Sequence, residues 1–69
     1  MDFDYSRLSP VFATLSKPAR RALINHAIFS PADLAGWRRQ DVTKLHGVGP
    51  SAFPILEDAL RAAGLDFRP

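Results

Sequence analysis

The chain has 69 residues, with nine Lys or Arg against seven Asp or Glu, a net charge of +2 and no cysteine. That length allows one domain, residues 1–69, which buries only about 60% of the surface its unfolded chain would expose. The absent thiols exclude disulfides and thiolate metal sites, and no apolar run approaches the ~20 residues that span a bilayer. Met1-Asp2-Phe3-Asp4 is unlike the basic-then-apolar start of a signal peptide, so a soluble cytoplasmic protein with no membrane partner is expected. Charge is uneven along the chain. Lys17, Arg20, Arg21, Arg38, Arg39 and Lys44 face only Asp33 and Asp41 in the middle, while acids outnumber bases elsewhere. The middle segment therefore suits either a polyanion or a mixed, solvated surface.

No stretch alternates apolar and polar residues with β-branched enrichment, so the expected fold class is all-α. Prolines punctuate the helices. After a short segment over residues 1–9, Ser9-Pro10 opens a first turn or two near 10–15. Ser16-Lys17-Pro18 opens a helix over about 17–28, with Ala19, Ala22, Leu23, Ala27 and Ile28 on one face. Ser30-Pro31, with Asp33 at capping-box spacing, starts a short helix over 31–36 that Gly36 ends. A fourth spans about 39–45 and turns Val42 and Leu45 inward.

The fifth helix runs from Pro50 to Ala63, with Gly64 as a left-handed cap. Its apolar stripe is Ala52, Ile55, Leu56, Ala59, Leu60 and Ala63, and Leu65 and Phe67 fold back afterwards. Such short connections demand sharp turns, which gives a compact five-helix bundle. Its expected core is Phe12, Leu15, Leu23, Ile28, Phe29, Leu34, Leu45, Val48, Ile55, Leu56 and Leu60, with Trp37 covering one edge.

The chemistry concentrates at "LHGVGPS", residues 45–51. Gly47 and Gly49 are expected to supply positive φ, and Val48 between them to tuck inward. The start of the last helix then offers unpaired backbone N–H groups and the positive end of its dipole to a phosphate. No strand precedes the glycines and no Gly-Lys-Ser/Thr follows, which excludes dinucleotide and Walker loops. The bland alternative is a turn that only packs two helices in a protein-binding module.

Apolar-x-Gly-apolar-Gly-Pro-x-Ala, leading into an amphipathic helix, resembles the helix-hairpin-helix motif. The longer segment from Leu15 to Leu65 resembles the C-terminal domain of the bacterial RNA polymerase α subunit, and Phe3-Asp4 and Pro10-Val11 resemble the residues ahead of it. The resemblance implies a SAM-like fold with one helix-hairpin-helix, binding across the minor groove of A·T-rich DNA, and contact with transcription-related proteins. Mapped onto this chain, the family's main DNA-reading arginine falls on Pro18 and its partner asparagine on Arg21. The hairpin glycine is kept as Gly49 and one basic residue as Lys44, while the following lysine and serine become Ser51 and Ala52. Arg20, Arg21 and Lys17 restore charge without the same minor-groove geometry.

The resulting expectation is a small DNA-binding protein that grips phosphates with little sequence specificity. Its site is Gly47, Val48, Gly49 and Ser51 with Lys44, Arg20 and Arg21, and Arg38 and Arg39 are further candidates. The alternative is a protein-interaction module that kept the fold and lost the DNA surface, with an exposed Phe53 as its apolar patch. Pro54 is expected to kink the start of the last helix. Glu57 and Asp58 would repel a phosphate if they faced it. No cofactor, metal site or enzyme activity is expected: His26 and His46 lack partners of metal-ligand spacing, and Ser51 has no base beside it.

Overall fold

The structure is a computed structural model, which describes residues 5–69. Phe3 and Asp4 lie outside the described residues. The described residues are mostly helical, with a single isolated bridge between Arg38 and Arg68 in place of any strand. Four α-helices are present: α1 (Lys17–Asn25), α2 (Pro31–Ala35), α3 (Arg39–Val42) and α4 (Phe53–Ala62). Three 3₁₀ turns join them, at Tyr5–Arg7, Pro10–Phe12 and Pro50–Ala52. The expected five helices are thus corrected to four, because the first of them closes as a single 3₁₀ turn. The radius of gyration is 10.8 Å, against about 11 Å for a compact domain of this length.

Each boundary has a local cause. The Ser16 hydroxyl accepts from the Ala19 amide at 3.3 Å and caps α1, whose first turn contains Pro18. The helix stops at Asn25, short of the expected residue 28. Ile28 N–H reaches back to the Leu23 carbonyl at 2.8 Å and Ala27 N–H to that of Ile24 at 3.1 Å, a Schellman closure. Ile28 therefore enters the core from beyond the helix, and Ala27 sits exposed at φ 57°.

An alanine in that left-handed conformation costs about 1–2 kcal/mol. Ala27→Gly removes this strain and gives back ~0.4–1 kcal/mol through a freer unfolded chain. A net gain of about 0.5–1 kcal/mol is expected, read as a higher urea midpoint with an unchanged slope.

Ser30 and Asp33 form the expected capping box, each side chain bonded to the other's backbone amide. The helix α3 ends at Val42, three residues early. Thr43 Oγ1 donates to the Gln40 carbonyl at 2.5 Å, the acceptor an α-helix would offer to the Lys44 amide. Lys44 N–H bonds Asp41 instead, and the chain winds on through i→i+3 turns that carry Leu45 and Val48 inward.

At the start of the last helix Pro54 has no N–H to give the Pro50 carbonyl, so Phe53 N–H takes it and the first turn becomes 3₁₀. The far end is as expected: Gly64 lies at φ 71° and Leu65 N–H bonds the Leu60 carbonyl at 2.8 Å.

The helix α4 is the central element, packed against α2 and the Pro10–Phe12 turn. Phe12, Leu23, Ile28, Leu34, Val42 and Leu56 are fully buried. Of the expected core, Phe29 and Ile55 are only half-buried, while Leu8, Ala19, Ala22, Val42, Ala52, Phe53 and Ala59 join it. Trp37 packs on the core edge, meeting the His26 ring edge-on at a centroid distance of 5.6 Å. Leu65 and Phe67 do fold back, and Arg68 N–H donates to the Trp37 carbonyl at 2.9 Å.

Candidate functional site

The turn at 45–51 is anchored by two apolar side chains, Leu45 and Val48, both buried. Its two glycines do different work. Gly47 lies at φ 99°, and a Cβ there would stand 2.5 Å from the Pro18 carbonyl oxygen. Only glycine fits, so the turn is docked backbone-to-backbone on the first turn of α1. Gly49 lies at φ −98°, ψ 176°, ordinary extended backbone, and a Cβ there would meet nothing within 4 Å. The expectation that both glycines supply positive φ is corrected: neither conformation nor space requires glycine at Gly49.

What Gly49 leaves is a bare amide. Its N–H and that of exposed Ser51 donate to no acceptor among the described residues. Pro50 has no N–H, and the Ala52 amide is spent on the Gly49 carbonyl at 3.0 Å. Val48 likewise bonds the Leu45 carbonyl at 3.1 Å, so it serves as an anchor rather than a donor.

The turn borders two clefts. One, of about 320 Å³, is lined by Pro18, Arg21, Ala22, Asn25, His46 and Gly47. The other, of about 310 Å³, is lined by Arg39, Thr43, Val48, Gly49, Pro50 and Phe53. Arg21 shares the first cleft with His46 and Gly47. Arg20 and Lys44 are not among the walls of either cleft. Arg20 is half-buried, its guanidinium 5.1 Å from the Tyr5 ring centroid and its Nε buried with no partner among the described residues. Lys44 is exposed, 3.9 Å from the Asp41 carboxylate.

Tyr5 also accepts from Arg21 Nε at 3.1 Å. One tyrosine, fifteen and sixteen residues before them in sequence, therefore touches both arginines of α1. No spacing rule could have found it. The cleft residues Asn25 and His46 were equally invisible as a pair.

The acidic residues of α4 are engaged by arginines. Glu57 pairs with Arg39, and Asp58 with Arg61 at 3.1 Å. Arg39 also lies over the Phe53 ring at 4.7 Å, and Phe67 meets the same ring at 6.2 Å. Phe53 is buried, which corrects its expected role as an exposed patch. Val11 is instead the exposed large apolar residue of the described chain. No group of three or more His, Cys, Asp or Glu among the described residues is placed to hold a metal, and no described helix is long and apolar enough to cross a membrane.

Compared with models of protein families, with curated proteins and with solved structures, the chain matches none.

Proposed function

We propose that the protein binds duplex DNA by its phosphate backbone with little sequence specificity, through a helix-hairpin-helix turn formed by α3, residues 45–49 and the start of α4. The observation that carries this reading is Gly49: a glycine with no conformational or steric need, leaving a bare amide beside that of Ser51. A phosphate accepts from those two amides and is favoured by the helix dipole. Arg21 is held at the same turn, while Lys44 and Arg20 supply charge to neighbouring phosphates from outside its clefts. The resemblance of residues 15–65 to the RNA polymerase α C-terminal domain supports reading this activity as part of bacterial transcription, with a transcription-related protein as a second partner.

Neutralising about three phosphates gives a log–log salt slope near −2.7, hence roughly 40-fold weaker binding at 200 than at 50 mM salt. Anisotropy titration of a labelled duplex at the two concentrations measures it. Gly49→Val adds a branched side chain beside the Gly49 amide, in open space and on extended backbone, and a loss of about tenfold is expected for one charge-assisted bond. Undetectable binding at low salt, or Gly49→Val binding like the wild type, would sink the reading.

The positions of Arg20 and Lys44 outside both clefts favour a second reading, a protein-interaction module. In that case duplex binding is absent even at low salt and the surface around Val11 becomes the place to look.

A further inference from the structure

Arg39 opens α3, and Glu57 lies one turn past Phe53 on α4, eighteen residues away in sequence. The guanidinium is held between the Glu57 carboxylate and the Phe53 ring, and it forms one wall of the cleft that borders Gly49. The hold is weak. Both side chains are well exposed, 51% for Arg39 and 38% for Glu57, and ion pairs of that exposure add little stability. Stacking on an aromatic face leaves the guanidinium N–H groups available. Arg39 Nη1 donates to Glu57, and its other donors have no partner among the described residues.

We propose that this cleft is the place of a second DNA phosphate, next to the one at Gly49 and Ser51, and that Glu57 competes with that phosphate for Arg39 and holds the guanidinium back in the wild type. Glu57 is then an internal competitor. It occupies a guanidinium already positioned and oriented by Phe53, and so sets how tightly the protein holds DNA. The ring keeps Arg39 in place once Glu57 is removed, so a charge-assisted bond forms with little loss of side-chain freedom. The inference rests on the DNA-binding reading above and assigns that site its second phosphate and its brake.

The test is anisotropy titration of a labelled duplex of about 20 base pairs across about 50–200 mM salt. Glu57→Gln is expected to bind roughly tenfold tighter at the lowest salt, the gain of a bond to a charged group. Its salt slope is expected to steepen by about 0.9, one more phosphate neutralised. Glu57→Ala repeats the test with no amide left to hold Arg39.

Asp58→Asn makes the same change in net charge on the same helix but frees Arg61, away from the cleft, and leaves the slope where it was. Arg39→Gln in the Glu57→Gln background returns both affinity and slope to the wild-type values. Circular dichroism on each variant confirms the fold. If the wild type binds and Glu57→Gln behaves like Asp58→Asn, the second phosphate is overturned and the Gly49 site stands. If no variant binds at the lowest salt, both fall together.

Discussion

Gly47→Ala is expected to destabilise the fold by about 2–5 kcal/mol, the sum of a left-handed backbone strain of ~1–2 and an overpacking cost of ~1–3. Gly47 lies at φ 99°, and the added Cβ would sit 2.5 Å from the oxygen and 2.9 Å from the carbon of the Pro18 carbonyl. The obstacle is backbone in the first turn of α1, so it cannot swing aside as a flexible side chain would. Relief requires the turn to lift from α1 or the helix to shift. A domain of this length is stable by only about 3–10 kcal/mol. The substitution therefore removes a large share of its stability and leaves the rest marginal.

Urea denaturation followed at 222 nm measures the effect as a fall in midpoint. Gly49→Ala is the matched control, because its Cβ enters open space from extended backbone; a change within about 0.5 kcal/mol is expected there. Equal, small effects at the two glycines would show that the turn is not docked on Pro18.

Phe12→Ala is expected to cost about 3–5 kcal/mol, the usual range for truncating a buried phenylalanine. Phe12 is fully buried although its element is a single 3₁₀ turn of three residues. That turn has no stability of its own. Its place comes from packing against α4 and from the Ser9 amide, which donates to the Phe29 carbonyl at 2.7 Å. The adjacent Val11 is 44% exposed, and Val11→Ala is expected to change stability by no more than about 0.5 kcal/mol. The contrast between neighbours tests whether residues 8–12 belong to the cooperative core. If Phe12→Ala unfolds with the wild-type midpoint, the segment is only laid against a bundle that is complete without it.

The legible parts of this fold were those with a local cause. Ser16, Ser30 and Gly64 announced helix ends through their own chemistry, and the α4 stripe repeated long enough to define a face. Positions decided by competition for a single carbonyl were not legible. The Thr43 hydroxyl displaces the Lys44 amide from Gln40, and Ile28 takes the Leu23 carbonyl, so α3 and α1 end early. Pro54 was read as a kink, and its consequence is a 3₁₀ first turn.

Phe53 was misread as exposed because what covers it comes from afar. Arg39 lies fourteen residues before it and Phe67 fourteen after. The candidate site divides the same way. Gly47 and Val48 follow from the glycine pattern, whereas the Tyr5 contacts with Arg20 and Arg21 and the Arg39–Glu57 pair exist only once the chain has folded. The meaning of Gly49 also changed. It leaves an amide without an acceptor among the described residues, and the bend belongs to Gly47.

Trp37 has one more consequence. It is the sole tryptophan, and three segments meet on it: the His26 ring from the end of α1, the residues that lead into α3, and Arg68 of the tail, which donates to its carbonyl. Its emission is a single-site optical gauge of that junction, while ellipticity averages over every helical residue. The molecule thus carries its own means of telling a loosened tail from a melted helix.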